Sequence, residues 1–280
     1  MKNKSIKSII IKNEYILSPI DKKIIRILIK NINKSVYKDS YNFTHSSQKY
    51  SLDFILAHIL YVIKYCISWR QLGIHIYNNV YKHFIKFNKI NLFKDTYIEI
   101  LNKYIKRTKN NTLKTLYTDT TFIINKKGID RKERNKYMKN KNCNKVSIIT
   151  DNKFVPIKIH VYKGNLNDSN ILYNELIQME LNDVNFFIAD KGYCSSNIRE
   201  LLKNKNVEPI IPFNKRNTKD INKIIKLSDK QNNKYKERIY IEHIFSKLKT
   251  NYKIANRYEK YLNNYVGLLY IYFLKELIKH

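Results

Sequence analysis

The chain has 280 residues, 43% of them hydrophobic, enough to bury a sizeable core in one large domain or two ordinary ones. Lys and Arg number 54 against 23 Asp and Glu; this formal net charge of +31 argues for a polyanionic partner even after part of it is discounted as codon bias. Three cysteines without a CxxC pair argue against a disulfide framework or zinc knuckle, no apolar run reaches the roughly 20 residues of a membrane helix, and the N-terminus lacks a small-residue cleavage site, so an intracellular, non-secreted protein is expected.

Residues 1–48 read as a basic, Asn-rich extension. Residues 49–110 read as helical. LDFILAHILYVIKYCI keeps apolar residues at helical spacing. SWRQL follows, with Ser68 as a cap ahead of Gln71, and YNNVYKHFIKFNKINLF is a further helix with Asn78 or Asn79 as its cap. DTYIEILNKYIKRTK closes the segment with a basic last turn. Short helices with tight connections suit either a helix-turn-helix DNA-binding module or an ordinary bundle.

Residue 115 changes the texture. TLYTDTTFII, KVSIIT and FVPIKIHVYK read as three consecutive antiparallel strands, the last two joined by the turn DNK. DSNILYNELIQMEL reads as a helix capped by Asp168 or Ser169, and VNFFIAD as a buried central strand. SSNIRELLKNK is a helix, VEPIIPF a strand, and a polar stretch leads to a long helix over YKERIYIEHIFSKLK. Residues 111–280 are therefore expected to form a mixed sheet flanked by helices, an α/β domain.

Three acids stand out there. Asp119 lies inside an apolar strand, where an unpaired carboxylate is costly. Asp190 ends a buried strand, where α/β sites commonly form. Glu242 lies on the long helix. Together they could converge on a divalent cation, which prefers carboxylate oxygens, water and phosphate. Each also has a plainer reading: Asp119 in a strand-end turn or paired with Lys114, Asp190 capping the turn into KGY, Glu242 paired with Arg238 at i,i+4.

Tyr235-x₂-Arg238-x₃-Glu242-x₆-Lys249 fits the Y-R-E-K signature of DDE transposases from bacterial insertion sequences, the group that includes the families numbered four and five. At about 100° per residue the four side chains fall within roughly 60° of helix circumference. LYTDTTFI resembles that group's first-aspartate strand, and KVSIITDNKFVPIKIHVYKGNLNDS its following hairpin with the Gly164-Asn165-x-x-Asp168 element. FFIADKGYCSSNIRELL resembles the second-aspartate block, and VEPIIPFNKRN the strand and basic turn after it. The helices before residue 110 carry the group's Trp-Arg pair as Trp69-Arg70. The resemblance is colinear over roughly residues 50–275.

The resemblance implies a ribonuclease-H-like catalytic domain with Asp119, Asp190 and Glu242 as the DDE triad and metal ligands. It implies Mg²⁺, with Mn²⁺ able to substitute, hydrolysis at transposon ends and strand transfer into target DNA. Double-stranded DNA is the expected partner, bound by a homodimer. Arg238, Lys249 and Arg70 are expected at DNA. Tyr235 either stacks on a base or sugar or simply packs, and Lys191 is either a solvated lysine or a phosphate contact. Asp168 is read as organising a turn, and Trp69 as helical core. Two alternatives stay open: a metal nuclease without strand transfer, and a catalytically silent, DNA-binding descendant.

Overall fold

The structure, a computed structural model, describes residues 17–34, 50–108, 114–130, 133–214 and 226–280. Most of the expected basic extension, and residues 215–225 of the polar stretch with part of its basic turn, lie outside the described residues. Contacts divide the chain into two units: Met1–Lys103 with Asn251–Ile254 and Tyr258–His280, and Tyr104–Thr250 with Ala255–Arg257.

The first unit is helical. Helix α1 (Pro19–Ile32) opens with Ser18 and Asp21 as a capping box. The buried Asp21 also meets Lys64 and Lys275, each at 3.6 Å. Helix α2 (Leu52–Lys64) is buried on almost every side, which makes it the unit's centre. Ser68 precedes a 3₁₀ turn over Trp69–Leu72, and its N–H donates to Gln71 Oε1 at 2.6 Å, as the capping reading anticipated. The next helix, α3 (Ile74–Lys89), begins ahead of the two asparagines. Gly73, at φ +83°, makes the sharp entry, so Asn78 and Asn79 sit inside the helix and cap nothing. Asn91, also left-handed, separates α3 from α4 (Leu92–Thr108). The C-terminal helix α10 (Leu262–Leu277) belongs to this unit and buries Tyr265, Leu268, Phe273 and Leu274. Trp69 is core, as expected, its Nε1 donating to the buried Glu259 at 2.8 Å.

The second unit is a mixed sheet with helices. Its strands are β1 (Thr115–Asn125), β2 (Glu133–Asn135), β3 (Lys141–Thr150), β4 (Pro156–Lys163), β5 (Phe186–Ile188), β6 (Glu208–Ile210) and β7 (Asn256–Arg257). The main path runs β2-β3-β1-β5-β6, with β4 on β3 and β7 on β1. β1 is central: antiparallel to β3, parallel to β5 and β7. The expected strand order is present; the short strands β2 and β7 have no periodicity long enough to read. Helices α5 (Asp168–Ile177) and α6 (Ser196–Asn204) share a core with Leu116, Phe187 and Val207. The expected long helix is three pieces: α7 (Asp229–Tyr235), a 3₁₀ turn over Lys236–Arg238, and α8 (Ile239–Thr250), followed by the short α9 (Tyr252–Ala255). Among the described residues no helix is long and apolar enough to cross a membrane.

Candidate active site

Strand alternation places the first acid. Leu116 faces the α5/α6 core, so Tyr117 points the other way, where its ring meets Tyr240 of α8 at 5.2 Å between centroids. Asp119 lies two residues on and shares that face. Its Oδ1 accepts the Thr120 N–H at 2.8 Å and the Tyr193 hydroxyl at 3.4 Å. Its Oδ2 accepts from Arg238 Nη1 at 3.1 Å. Burial pushes the Asp119 carboxyl up, and Asp190 and Asp168 add to that, while the Thr120 N–H and Arg238 oppose it.

Asp190 stands two residues past β5, the parallel neighbour of β1. Its side chain caps the 3₁₀ turn Lys191–Tyr193, with Oδ1 accepting the Lys191 N–H at 2.6 Å. The same oxygen accepts the Tyr235 hydroxyl at 3.4 Å. Glu242 lies in the first turn of α8 with its side chain about half exposed, and accepts from Arg238 Nη2.

Arg238 therefore joins two of the three acids through separate nitrogens. Burial opposes its charge, and Asp119, Tyr235, Glu242 and Asp190 more than offset that. The plainer readings of Asp190 as a cap and Glu242 as an i,i+4 partner hold physically, and the Arg238 contact also links Glu242 to Asp119. The charged partner of Asp119 is Arg238, reached across the fold. The turn carrying Arg238 has a second anchor on β1: the Tyr117 hydroxyl donates to Glu237 at 2.5 Å, and Lys234 meets the same carboxylate group at 2.8 Å.

Lys191 is exposed beside Asp190. Lys249 is exposed near the end of α8, roughly 10 Å along the axis from Glu242. Arg70 belongs to the helical unit, where it lines a cavity of about 400 Å³ with Ile74, Tyr77 and Asn78.

Several participants escaped the sequence reading. Asn167, and neither Asp168 nor Ser169, is the N-cap of α5, accepting the Ser169 N–H at 2.9 Å. Asp168 is thereby free of the cap and accepts the Thr120 hydroxyl at 2.7 Å and Lys145 Nζ at 2.8 Å. Lys145 is itself buried and also donates to the Leu166 carbonyl at 2.7 Å. Tyr193 was legible only as part of the block FFIADKGY. Thr120 and Lys145 carried no signal, because their roles arise from register: Lys145 pairs with Phe122 on β1.

Carboxylate oxygens from three elements are the donor chemistry of a hard divalent cation, and the Arg238 guanidinium is a cation already seated against two of them. The residues fit such an ion in kind. In this conformation no three His, Cys, Asp or Glu side chains among the described residues are drawn close enough to hold one.

A family model described as "Transposase DDE domain" matches residues 99–274. No curated protein and no solved structure matches the chain significantly.

Proposed function

The chain belongs to the transposase DDE domain family, and on that premise we propose that it cleaves DNA at transposon ends and joins them to target DNA, with Asp119, Asp190 and Glu242 as its catalytic triad. Such domains generally use divalent metal ions and act on DNA; we assign Mg²⁺ here, with Mn²⁺ able to replace it. The observation that carries the reading is that Arg238 bonds to Asp119 of β1 and Glu242 of α8 while also sensing the charge of Asp190 past the end of β5. The mixed sheet with flanking helices supports a ribonuclease-H-like fold.

Bound divalent cations supply Lewis-acid stabilisation of the attacking and leaving oxygens during in-line phosphodiester displacement. The chain's own part is to hold the acids. The Thr120 N–H and Tyr193 hydroxyl orient Asp119, and the Lys191 N–H and Tyr235 hydroxyl orient Asp190. Those bonds restrict each carboxylate before any ion arrives. In the first reaction water attacks phosphorus and the 3′-oxygen leaves, taking a proton to become a hydroxyl. In the second that hydroxyl, losing its proton, bonds to a target phosphorus and displaces the target's own 3′-oxygen.

Arg238 and Lys249 are assigned to DNA near the cut, with Arg70 at DNA through the helical unit, which we read as the DNA-binding region. Tyr235 is assigned to holding Asp190. A homodimer on two DNA ends is part of the proposal. The test is cleavage of DNA carrying the gene's own flanks, with Mg²⁺ or EDTA. Asp119→Asn, Asp190→Asn and Glu242→Gln should each lower cleavage by roughly a thousandfold or more while sparing DNA binding. Cleavage retained in any variant removes that residue from the triad. Cut ends without joined products favour a nuclease, and tight binding without cleavage in any divalent metal favours a silent descendant.

A further inference from the structure

The cation between the acids belongs to the protein itself. Arg238 Nη1 lies 3.1 Å from Asp119 Oδ2, while Nη2 donates to Glu242 Oε1. Its side chain is only 20% exposed. A dication bound by those two oxygens would need the volume the guanidinium occupies, and would repel it. Arginine and a metal ion are therefore alternative occupants of one place.

The turn that presents Arg238 is held independently of it. Glu237 is bonded to Tyr117 on β1 and to Lys234 on α7. A guanidinium on a long side chain can thus leave the carboxylates while its backbone stays anchored. It needs another acceptor when it goes, and a phosphate offers two oxygens in the same bidentate geometry.

We propose that Arg238 is an exchangeable counter-ion: it closes the acid site in the free protein, and its transfer to a DNA phosphate releases Asp119 and Glu242 for metal. Metal and DNA then load cooperatively, each raising the affinity for the other by the same factor. The inference rests on the triad reading, and adds to it that the site is occluded by the chain until DNA arrives.

The measurement is Mn²⁺ binding by the full chain, followed by the electron-spin signal of free Mn²⁺ with and without a DNA duplex. Without DNA, Arg238→Gln should bind Mn²⁺ about tenfold more tightly than wild type, the factor that a pair contribution of about 1.4 kcal/mol produces. Lys203→Gln, which removes the same charge from an exposed position on α6, should match wild type. The duplex should tighten Mn²⁺ binding to wild type and Lys203→Gln, and have little effect on Arg238→Gln. Equal or weaker Mn²⁺ binding by Arg238→Gln in the absence of DNA overturns the proposal, as does coupling that survives the substitution. If Arg238→Gln does not fold, wild type alone decides: Mn²⁺ affinity unchanged by duplex overturns the exchange. Asp119→Asn separates the two levels. If, with the duplex present, it binds Mn²⁺ as wild type does, the triad reading itself has failed.

Discussion

Replacing Tyr117 with Phe removes one hydroxyl and leaves the ring against Tyr240, so no cavity opens. The lost bond runs from a fully buried phenol to the Glu237 carboxylate at 2.5 Å. Hydrogen bonds to charged groups contribute roughly 1.5–3 kcal/mol. Glu237 keeps Lys234 at 2.8 Å and is about one third exposed, so the lower end applies. The expected loss is about 1.5 kcal/mol, or a Tm lower by roughly 3–6 °C for a cooperative unit of this size. Urea unfolding of wild type, Tyr117→Phe, Glu237→Gln and the double variant measures the pair directly. The cycle should return a coupling of about 1–2 kcal/mol. A second readout is spectroscopic: burial and then Glu237 push the Tyr117 phenol up, so Glu237→Gln should lower the pH at which it ionises. A coupling below about 0.3 kcal/mol would mean that the turn carrying Arg238 is not anchored through this pair, and would refute the reasoning.

Gly164→Ala should destabilise by about 1–3 kcal/mol in chemical unfolding, because the new Cβ would stand 2.3 Å from Cys143 Sγ and 2.7 Å from its carbonyl oxygen. Glu175→Gln should raise Tm at neutral pH and lose that advantage in acid. Burial pushes this carboxyl up against the help of Ser147, Tyr162 and Lys158, so its stabilising state is the neutral one: its contribution is complete below the unfolded value and disappears as pH rises through the folded one. A Tm difference independent of pH would show that Glu175 titrates as it does in the unfolded chain. DNA affinity should fall by about a thousandfold between roughly 50 and 200 mM salt if about six phosphates are contacted, and a flat salt response in filter binding would contradict electrostatic docking.

The amino-acid sequence alone carries the strand-and-helix order from residue 115 onward, because period-2 and period-3.6 hydrophobicity record which face of each element is buried. It also carries Asp119 and Asp190 as anomalies, since a carboxylate in or just after an apolar strand conflicts with its surroundings. The i,i+4 pairing of Arg238 with Glu242 is legible from helix spacing, and Gly164 from its place in a recognisable element. What only the tertiary structure decided is where these pieces meet. The Arg238 bond to Asp119 spans 119 positions, and no local pattern encodes it. Asp168 was expected to serve a turn; Asn167 took the cap, and strand pairing brought Lys145 and Thr120 to Asp168 instead. The 3₁₀ turn that presents Arg238 is held by Tyr117 from another element. The C-terminal helix joined the helical unit, where Lys275 meets Asp21 from near the other end of the chain. Periodicity reports that a face is buried but is silent about its partner: strand register and long-range packing choose the partner, and the chemistry of this site resides in those choices.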